Sequence, residues 1–307
     1  MTPIRMAYGE ALKELGSLDS RVVVLEADVG GSSKSQIFGQ SFPERYFNVG
    51  IAENNMTAMA AGFASYGMIP FVNSFASFIV SRAGDAIQSL GAYDHLNVKY
   101  CGAYCGLSDA YDGASHHSLS DIAFMRALPG MVVICPCDPA ETRKAVFAAA
   151  EYKGPVFLRL NREPAPDLYT KDMHFEIGRA ITVREGKDVS ILATGIQVHC
   201  ALKAAQSLAK KGISARVLDM HTIQPLDTEA VLACACETRG IVTAEEHSVR
   251  GGLGSAVAEC LCQTHPTKVY RVGLRDFAES GAYAALQRKY QVDDTAIERA
   301  CCALLEP

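Results

Sequence analysis

Phe47-Asn48-Val49-Gly50-Ile51-Ala52-Glu53-Asn54-Asn55-Met56 carries a strand-like run through a glycine into a helix, with one carboxylate at the junction. The helix continues as Met56-Thr57-Ala58-Met59-Ala60-Ala61-Gly62-Phe63-Ala64-Ser65-Tyr66-Gly67, without a further acid or base. A Glu in a first helical turn is commonly a solvated partner of the helix dipole. Amid so little other charge it can instead be held in a poorly hydrated pocket. Burial there raises a carboxyl pKa, which suits proton exchange with a ligand.

The alternation of strand and helix extends in both directions and predicts a parallel α/β architecture. Upstream, helical spacing covers residues 6–15, and a β-branched strand follows at 21–25. Further strands are expected at 46–49, 69–73, 98–103, 131–135 and 156–160, with helices at 78–90, 121–128 and 138–152. Asp138-Pro139 is a good helix start, since proline fits the first turn. Between 163 and 188 prolines and scattered charges mark a connector, with a short edge strand within 175–184. A second α/β unit has strands at 189–193, 215–220, 240–245 and 268–272 and a helix at 198–211. The expected division is 1–165, a linker at 166–187, and a smaller unit at 188–307, each unit a three-layer arrangement around a parallel sheet.

A chain of 307 residues can bury two cores of ordinary size. Hydrophobic content of 49% with 21% charged residues describes a soluble globular protein, and a net charge of −5 leaves no basic footprint for nucleic acid. No apolar run approaches the roughly 18 residues that span a membrane. Met1-Thr2-Pro3-Ile4-Arg5 begins no signal-peptide core, so a cytoplasmic enzyme is expected. The 11 cysteines include Cys135/Cys137, Cys234/Cys236 and Cys260/Cys262, but no Cys-x-x-Cys pair of the zinc type. They are read as small buried hydrophobes in a reducing compartment, and no metal is expected on this chain.

Gly251-Gly252-Leu253-Gly254-Ser255 could cradle a phosphate at a helix N-terminus. Without a lysine or the dinucleotide spacing, a tight turn for close packing is the better reading. Asp28-Val29-Gly30-Gly31-Ser32-Ser33 lies just past the carboxyl end of a strand, where ligands collect in open α/β sheets, and a ligand role and a plain turn are equally open there. Phe75 and Phe78 at a strand-to-helix junction are read on their own as core, although such a pair can also form a flat wall for a heterocycle. The loop from Tyr104 to His117 is dense in Asp, Ser, Tyr and His, and Asp112 and His116 could hydrogen-bond substrate hydroxyls. Arg159 and Arg162 close a strand at the same sheet edge, where an arginine can clamp an anion or make a surface ion pair.

Taken in order, these segments resemble the transketolase family, and more specifically the C-terminal subunit of a split, two-chain transketolase. The resemblance rests on Gly50-Ile51-Ala52-Glu53; on Ser74-Phe75-Ala76-Ser77-Phe78 with Arg82-Ala83-Gly84-Asp85; on Asp112-Gly113-Ala114-Ser115-His116 with Asp121-Ile122-Ala123 and Arg126-Ala127-Leu128-Pro129; and on Glu245-Glu246-His247 with the glycine turn. It implies a pyrimidine-binding domain, a smaller transketolase C-terminal domain, and thiamine diphosphate as cofactor. Glu53 would bond a ring nitrogen of the aminopyrimidine and favour the imino tautomer that activates the thiazolium carbon for two-carbon ketol transfer from ketose to aldose. Phe78, with Phe75, would stack on the pyrimidine, and Asp28 would line the cofactor pocket. Asp112 and His116 would meet sugar hydroxyls, while Arg5, Ser32 and Arg162 would hold the phosphate of a sugar phosphate.

The family's diphosphate half carries Gly-Asp-Gly and a downstream Asn for the metal; here Gly84-Asp85 is followed by Ala86. The expectation is a chain that works only with a separate diphosphate-binding subunit holding Mg²⁺, as a dimer of this chain within an α₂β₂ assembly. Tyr104 stands where many members place a phosphate-contacting His, Ala110-Tyr111 replaces Gly-Glu, and Ser81 replaces a Tyr of the pyrimidine wall, with Arg82 to compensate. These departures suggest a specialised sugar phosphate or a sulfo-sugar. The alternatives are a β-type subunit of a 2-oxo acid dehydrogenase and a non-catalytic transketolase-like regulatory subunit.

Overall fold

Six short apolar runs in the first half pair side by side in the computed structural model, which describes residues 2–306. They are Val22–Glu26 (β1), Tyr46–Asn48 (β2), Ile69–Phe75 (β3), Lys99–Ala103 (β4), Val132–Ile134 (β5) and Val156–Leu160 (β6). All are parallel, in the order β5-β6-β4-β3-β1-β2. Strands buried on both faces read as continuous hydrophobic runs, as Val22-Val23-Val24-Leu25 does, because helices must cover each side. On one face lie Ile4–Leu18 (α1) and Pro139–Glu151 (α5), packing Tyr8, Leu12, Leu15, Val146 and Ala149 on the sheet. On the other lie Glu53–Ser65 (α2), Ala76–Ala86 (α3) and Asp121–Ala127 (α4), with Met56, Ala60, Ile79, Ala83, Ile122 and Met125 inward. Asp138 caps α5, its Oδ1 accepting the Glu141 N–H at 2.8 Å with Pro139 in the first turn.

In the second half Ile181–Arg184 (β7), Val189–Ala193 (β8), Ala215–Asp219 (β9), Ile241–Ser248 (β11) and Val269–Leu274 (β12) form a five-stranded sheet, in the order β12-β11-β8-β9-β7. Only β7 is antiparallel. The expected edge strand is therefore present at the sheet edge but confined to the end of its segment, after a turn in which Arg179 N–H donates to Glu176 O and Gly178 takes φ +87°. The helices are Gln197–Lys210 (α6), Thr228–Glu237 (α7), Leu253–Thr264 (α8), Tyr283–Lys289 (α9) and Asp294–Leu305 (α10). One strand, Thr222–Gln224 (β10), leaves this half and pairs antiparallel with β5, becoming the seventh strand of the first sheet. The core facing α2 to α4 continues through Leu218, Ile223, Leu253 and Val257, so one hydrophobic interior spans both halves.

Local differences from the sequence reading have physical causes. The helix expected from Phe78 begins at Ala76 and runs on through a π-turn at Ile87–Ala92. Short helices at Gly30–Ser33 and Gln36–Ser41 fill what reads as loop. Six cysteines (Cys101, Cys105, Cys135, Cys137, Cys234 and Cys301) are buried, but Cys236 and Cys262 are exposed, so the buried-hydrophobe reading fails for those two: each faces solvent from its helix. Among the described residues no helix is long and apolar enough to cross a membrane.

Candidate functional site

Strands β1, β3, β4 and β6 end at one edge of the first sheet, where parallel α/β folds open a ligand crevice. Glu53 opens α2 beside that edge and is 3% exposed. Its Oε1 accepts from Ser74 Oγ at 3.3 Å and from Arg82 Nη1 at 3.1 Å. Oε2 takes no hydrogen bond from the described residues, which leaves one acceptor of this buried carboxylate available to a ligand nitrogen. Arg82 reaches Glu53 from the exposed side of α3 and lays its guanidinium 3.6 Å from the centre of the Phe78 ring. Carboxylate, cation and aromatic ring are thereby locked into one unit. Ser81 lies exposed, its Oγ donating to Ser77 O.

Phe75 and Phe78 are half-buried with centroids 5.6 Å apart. Tyr104 packs 4.7 Å from Phe75, and His116 presents an edge to Phe78 at 5.0 Å. The aromatic pair therefore faces the crevice and does not fill the core. Tyr104, at φ +60°, is flanked by two arginines: Arg5 Cζ is 5.3 Å from its centroid and Arg162 Cζ 4.9 Å. Arg5 Nη1 donates to the Tyr104 hydroxyl at 2.5 Å and to the carbonyl of Ser32 at 3.1 Å. Arg162 Nη1 donates to Asp109 Oδ1 at 3.1 Å. Arg5, Ser32 and Arg162, far apart in sequence, thus meet at one cationic corner around Tyr104.

Asp109 went unread in the sequence, since an Asp in a polar loop looks solvated. It is buried, and that burial, with Asp112 beside it, raises its carboxyl to about 6. With Asp112 and His116 it can present three ligand atoms within 4.8 Å, so those two residues have an acidic companion that the spacing did not reveal. Asp112 is exposed, and His116 Nδ1 lies 3.0 Å from Ser115 Oγ. Asp28 is exposed at φ +62° and accepts from Asn48 Nδ2 at 3.0 Å, on the side of the edge nearer β2. No hydrogen bond among the described residues joins it to the Glu53 unit.

The second domain closes this edge through Glu245-Glu246-His247 on β11. Glu245 lies against the start of α8, its oxygens accepting Leu253 N–H at 2.7 Å and Gly254 N–H at 2.9 Å. The acceptor at that helix N-terminus is the protein's own Glu245 carboxyl, so the glycine turn serves packing; a Cβ at Gly252 would collide with Glu245 Oε2. Arg159 is buried, with Nε on Asp121 Oδ2 at 2.7 Å and Nη2 on the carbonyls of Ser118 and Glu246. These bonds give Arg159 a role at the domain junction, while Arg162 is the arginine that stands beside Tyr104. His247 receives the Ala123 N–H at Nε2 and donates from Nδ1 to Ser248 O, which fits the neutral ring that burial enforces by lowering its pKa to about 4.

Two family models divide the chain: "Transketolase, pyrimidine binding domain" matches residues 1–166, and "Transketolase, C-terminal domain" matches residues 178–297. The chain is 43% identical over 304 residues to a 6-deoxy-6-sulfo-D-fructose transketolase subunit of Clostridium sp., covering 99% of this chain and 94% of that protein. It is 39% identical over 277 residues to an apulose-4-phosphate transketolase subunit of Phocaeicola vulgatus, covering 90% and 88%. A solved structure described as a split gene transketolase, inactive beta4 tetramer, superposes with a TM-score of 0.94 at 44% identity over 99% of both chains. The chain belongs to the thiamine-diphosphate-dependent transketolase family. Within it, the chain corresponds to the C-terminal subunit of the split form, with the pyrimidine-binding and C-terminal domains in series.

Proposed function

We propose that this chain supplies the pyrimidine half of a transketolase active site and transfers a two-carbon ketol unit from a ketose to an aldose. The observation that carries the reading is Glu53: a buried carboxylate with one oxygen engaged by Ser74 and Arg82 and the other uncommitted. Such a group fits an aminopyrimidine, which offers a ring nitrogen to a buried acceptor. Thiamine diphosphate, when bound, supplies the nucleophilic carbon for carbon–carbon bond cleavage. Glu53 holds the proton at the ring nitrogen, Arg82 fixes the carboxylate, and Phe78 and Phe75 provide the flat wall. Asp28 lines the cofactor pocket at its other end.

Asp112 and His116 orient sugar hydroxyls, and Arg5, Ser32 and Arg162 receive the anionic end of the substrate. Two relatives are named for substrates with a sulfonate and a phosphate respectively, so a terminal anion is the common element to which two arginines respond. The diphosphate and its Mg²⁺ belong to a separate subunit, with two copies of this chain inside an α₂β₂ enzyme working in the cytoplasm. Residues 166–187 connect the two domains, and within them 181–184 also form the edge strand β7 of the second sheet.

The test is reconstitution. The purified chain, a candidate diphosphate-binding subunit and their mixture are each assayed with thiamine diphosphate, Mg²⁺, a ketose phosphate and an aldose phosphate. Ketol transfer by the mixture alone is expected. Full turnover by this chain on its own contradicts the two-subunit reading, and absence of transfer from every cognate mixture contradicts the reaction.

A further inference from the structure

Glu26 ends β1 two residues before Asp28 and has no part in the assignments above. Its side chain is completely buried. Oε1 accepts the N–H of Val29 at 2.7 Å, while Oε2 accepts the hydroxyls of Ser35 at 2.5 Å and Ser33 at 3.2 Å. One carboxyl therefore gathers three donors from a single loop. That loop is bent at both ends by left-handed residues that carry a Cβ, Asp28 at φ +62° and Lys34 at φ +70°. Such conformations persist only where surrounding bonds enforce them. Ser32 lies between the two bends, and its carbonyl receives Arg5 Nη1, the same nitrogen that donates to the Tyr104 hydroxyl.

Resting on the function proposed above, we propose that Glu26 is a positioning residue for the substrate's anionic end. Its carboxyl ties down the loop so that the Ser32 carbonyl holds Arg5 beside Tyr104. It touches neither cofactor nor substrate; it acts through Ser32 and Arg5. The same tie fixes the turn that presents Asp28.

An amide is the discriminating replacement. Burial pushes the Glu26 carboxyl up to about 7, so the protonated form is well populated near neutrality. Glutamine reproduces that form, with its oxygen accepting from Val29 and its nitrogen donating to a serine hydroxyl. Alanine removes all three bonds without introducing a new group.

Two measurements on Glu26→Ala and Glu26→Gln test the assignment, with the assembled two-subunit enzyme used for the first. Calorimetry with ribose 5-phosphate and with unphosphorylated ribose should show binding of the phosphate weakened about tenfold in Glu26→Ala, with Glu26→Gln within about twofold of the unmodified protein. Ribose binding should be the same in all three. Amide exchange should rise at Val29 and Ser35 in Glu26→Ala only, with β4 amides protected throughout as a check that the sheet is intact. Equal phosphate binding, an equal loss for both sugars, no phosphate binding by the unmodified protein, or unchanged exchange would each overturn the proposal. Ketol transfer by the unmodified assembly is scored separately and decides the function, not the role of Glu26.

Discussion

The carboxylate of Glu246, on the second sheet, accepts the backbone N–H of Leu107, in a loop of the first, at 3.1 Å. The same carboxylate accepts Asn161 Nδ2 at 3.3 Å, the Tyr283 hydroxyl at 2.6 Å and Gln287 Nε2 at 3.3 Å. The loop carrying Asp109, Asp112 and His116 is thus suspended from the C-terminal domain, next to the strand end that carries Arg162. Position at the crevice is set from both halves of the chain.

Replacing Glu246 by alanine leaves buried donors on three segments without an acceptor. We expect a loss of about 2–4 kcal/mol in unfolding free energy by chemical denaturation. Amide exchange should rise first at 104–118, ahead of the sheet. A loss spread evenly over the protein would contradict the local tie.

For Glu53→Gln we expect turnover of the reconstituted enzyme to fall at least about a hundredfold, the range of general acid–base groups, with the fold intact. The amide keeps one acceptor oxygen for Ser74 and Arg82 but cannot exchange a proton with a pyrimidine nitrogen. Near-normal turnover would remove Glu53 from the reaction.

Arg162→Ala should weaken phosphorylated sugars about tenfold while leaving neutral sugars nearly unchanged, because a charge-assisted contact is lost. Asp109→Asn should give a smaller effect of the same selectivity, since the guanidinium keeps a neutral acceptor but loses its buried counter-charge. KM for a ketose phosphate and for its unphosphorylated analogue, measured side by side, separates these outcomes. Equal losses would mean that Arg162 only braces the loop.

Acid stability should report two buried imidazoles. Burial lowers His221 and His247 to about 4 from an ordinary 6.5. Both stay neutral in the fold while the unfolded chain takes up protons, so their contribution is full above about pH 6.5 and is lost as pH falls through about 4. His221 stacks on Phe175 at 4.3 Å, and His221→Phe keeps an aromatic ring there without a titrating group. Its denaturation free energy should drop by about 2 kcal/mol less than that of the unmodified protein between pH 7 and pH 5.

Much of this molecule is legible in single stretches of sequence. The strand–glycine–carboxylate junction announces Glu53, and the β-branched run at 22–25 and the mostly apolar run at 156–160 announce buried parallel strands. Arg82 enters only through the resemblance, as compensation for Ser81, and the fold shows it bound to Glu53 and lying over Phe78. What stayed hidden depends on partners distant in the chain. Glu26 reads as the polar end of a strand until Ser33 and Ser35 fold back onto it. Asp109 reads as one more loop acid until the fold buries it beside Arg162. At the glycine turn the packing reading is already the better one in the sequence, but only the fold reveals that Glu245 fills the helix end.

Strand β10 has a practical consequence. A clone ending at residue 187 would lack Thr222–Gln224, and its sheet would present β5 as a bare edge able to recruit strands from neighbouring molecules. Shuffling pyrimidine modules between homologues by cutting at the linker should therefore yield sticky, poorly behaved chimeras. A seam drawn beyond β10, with the donated hydrophobic interior transplanted as well, respects how the two halves are interwoven.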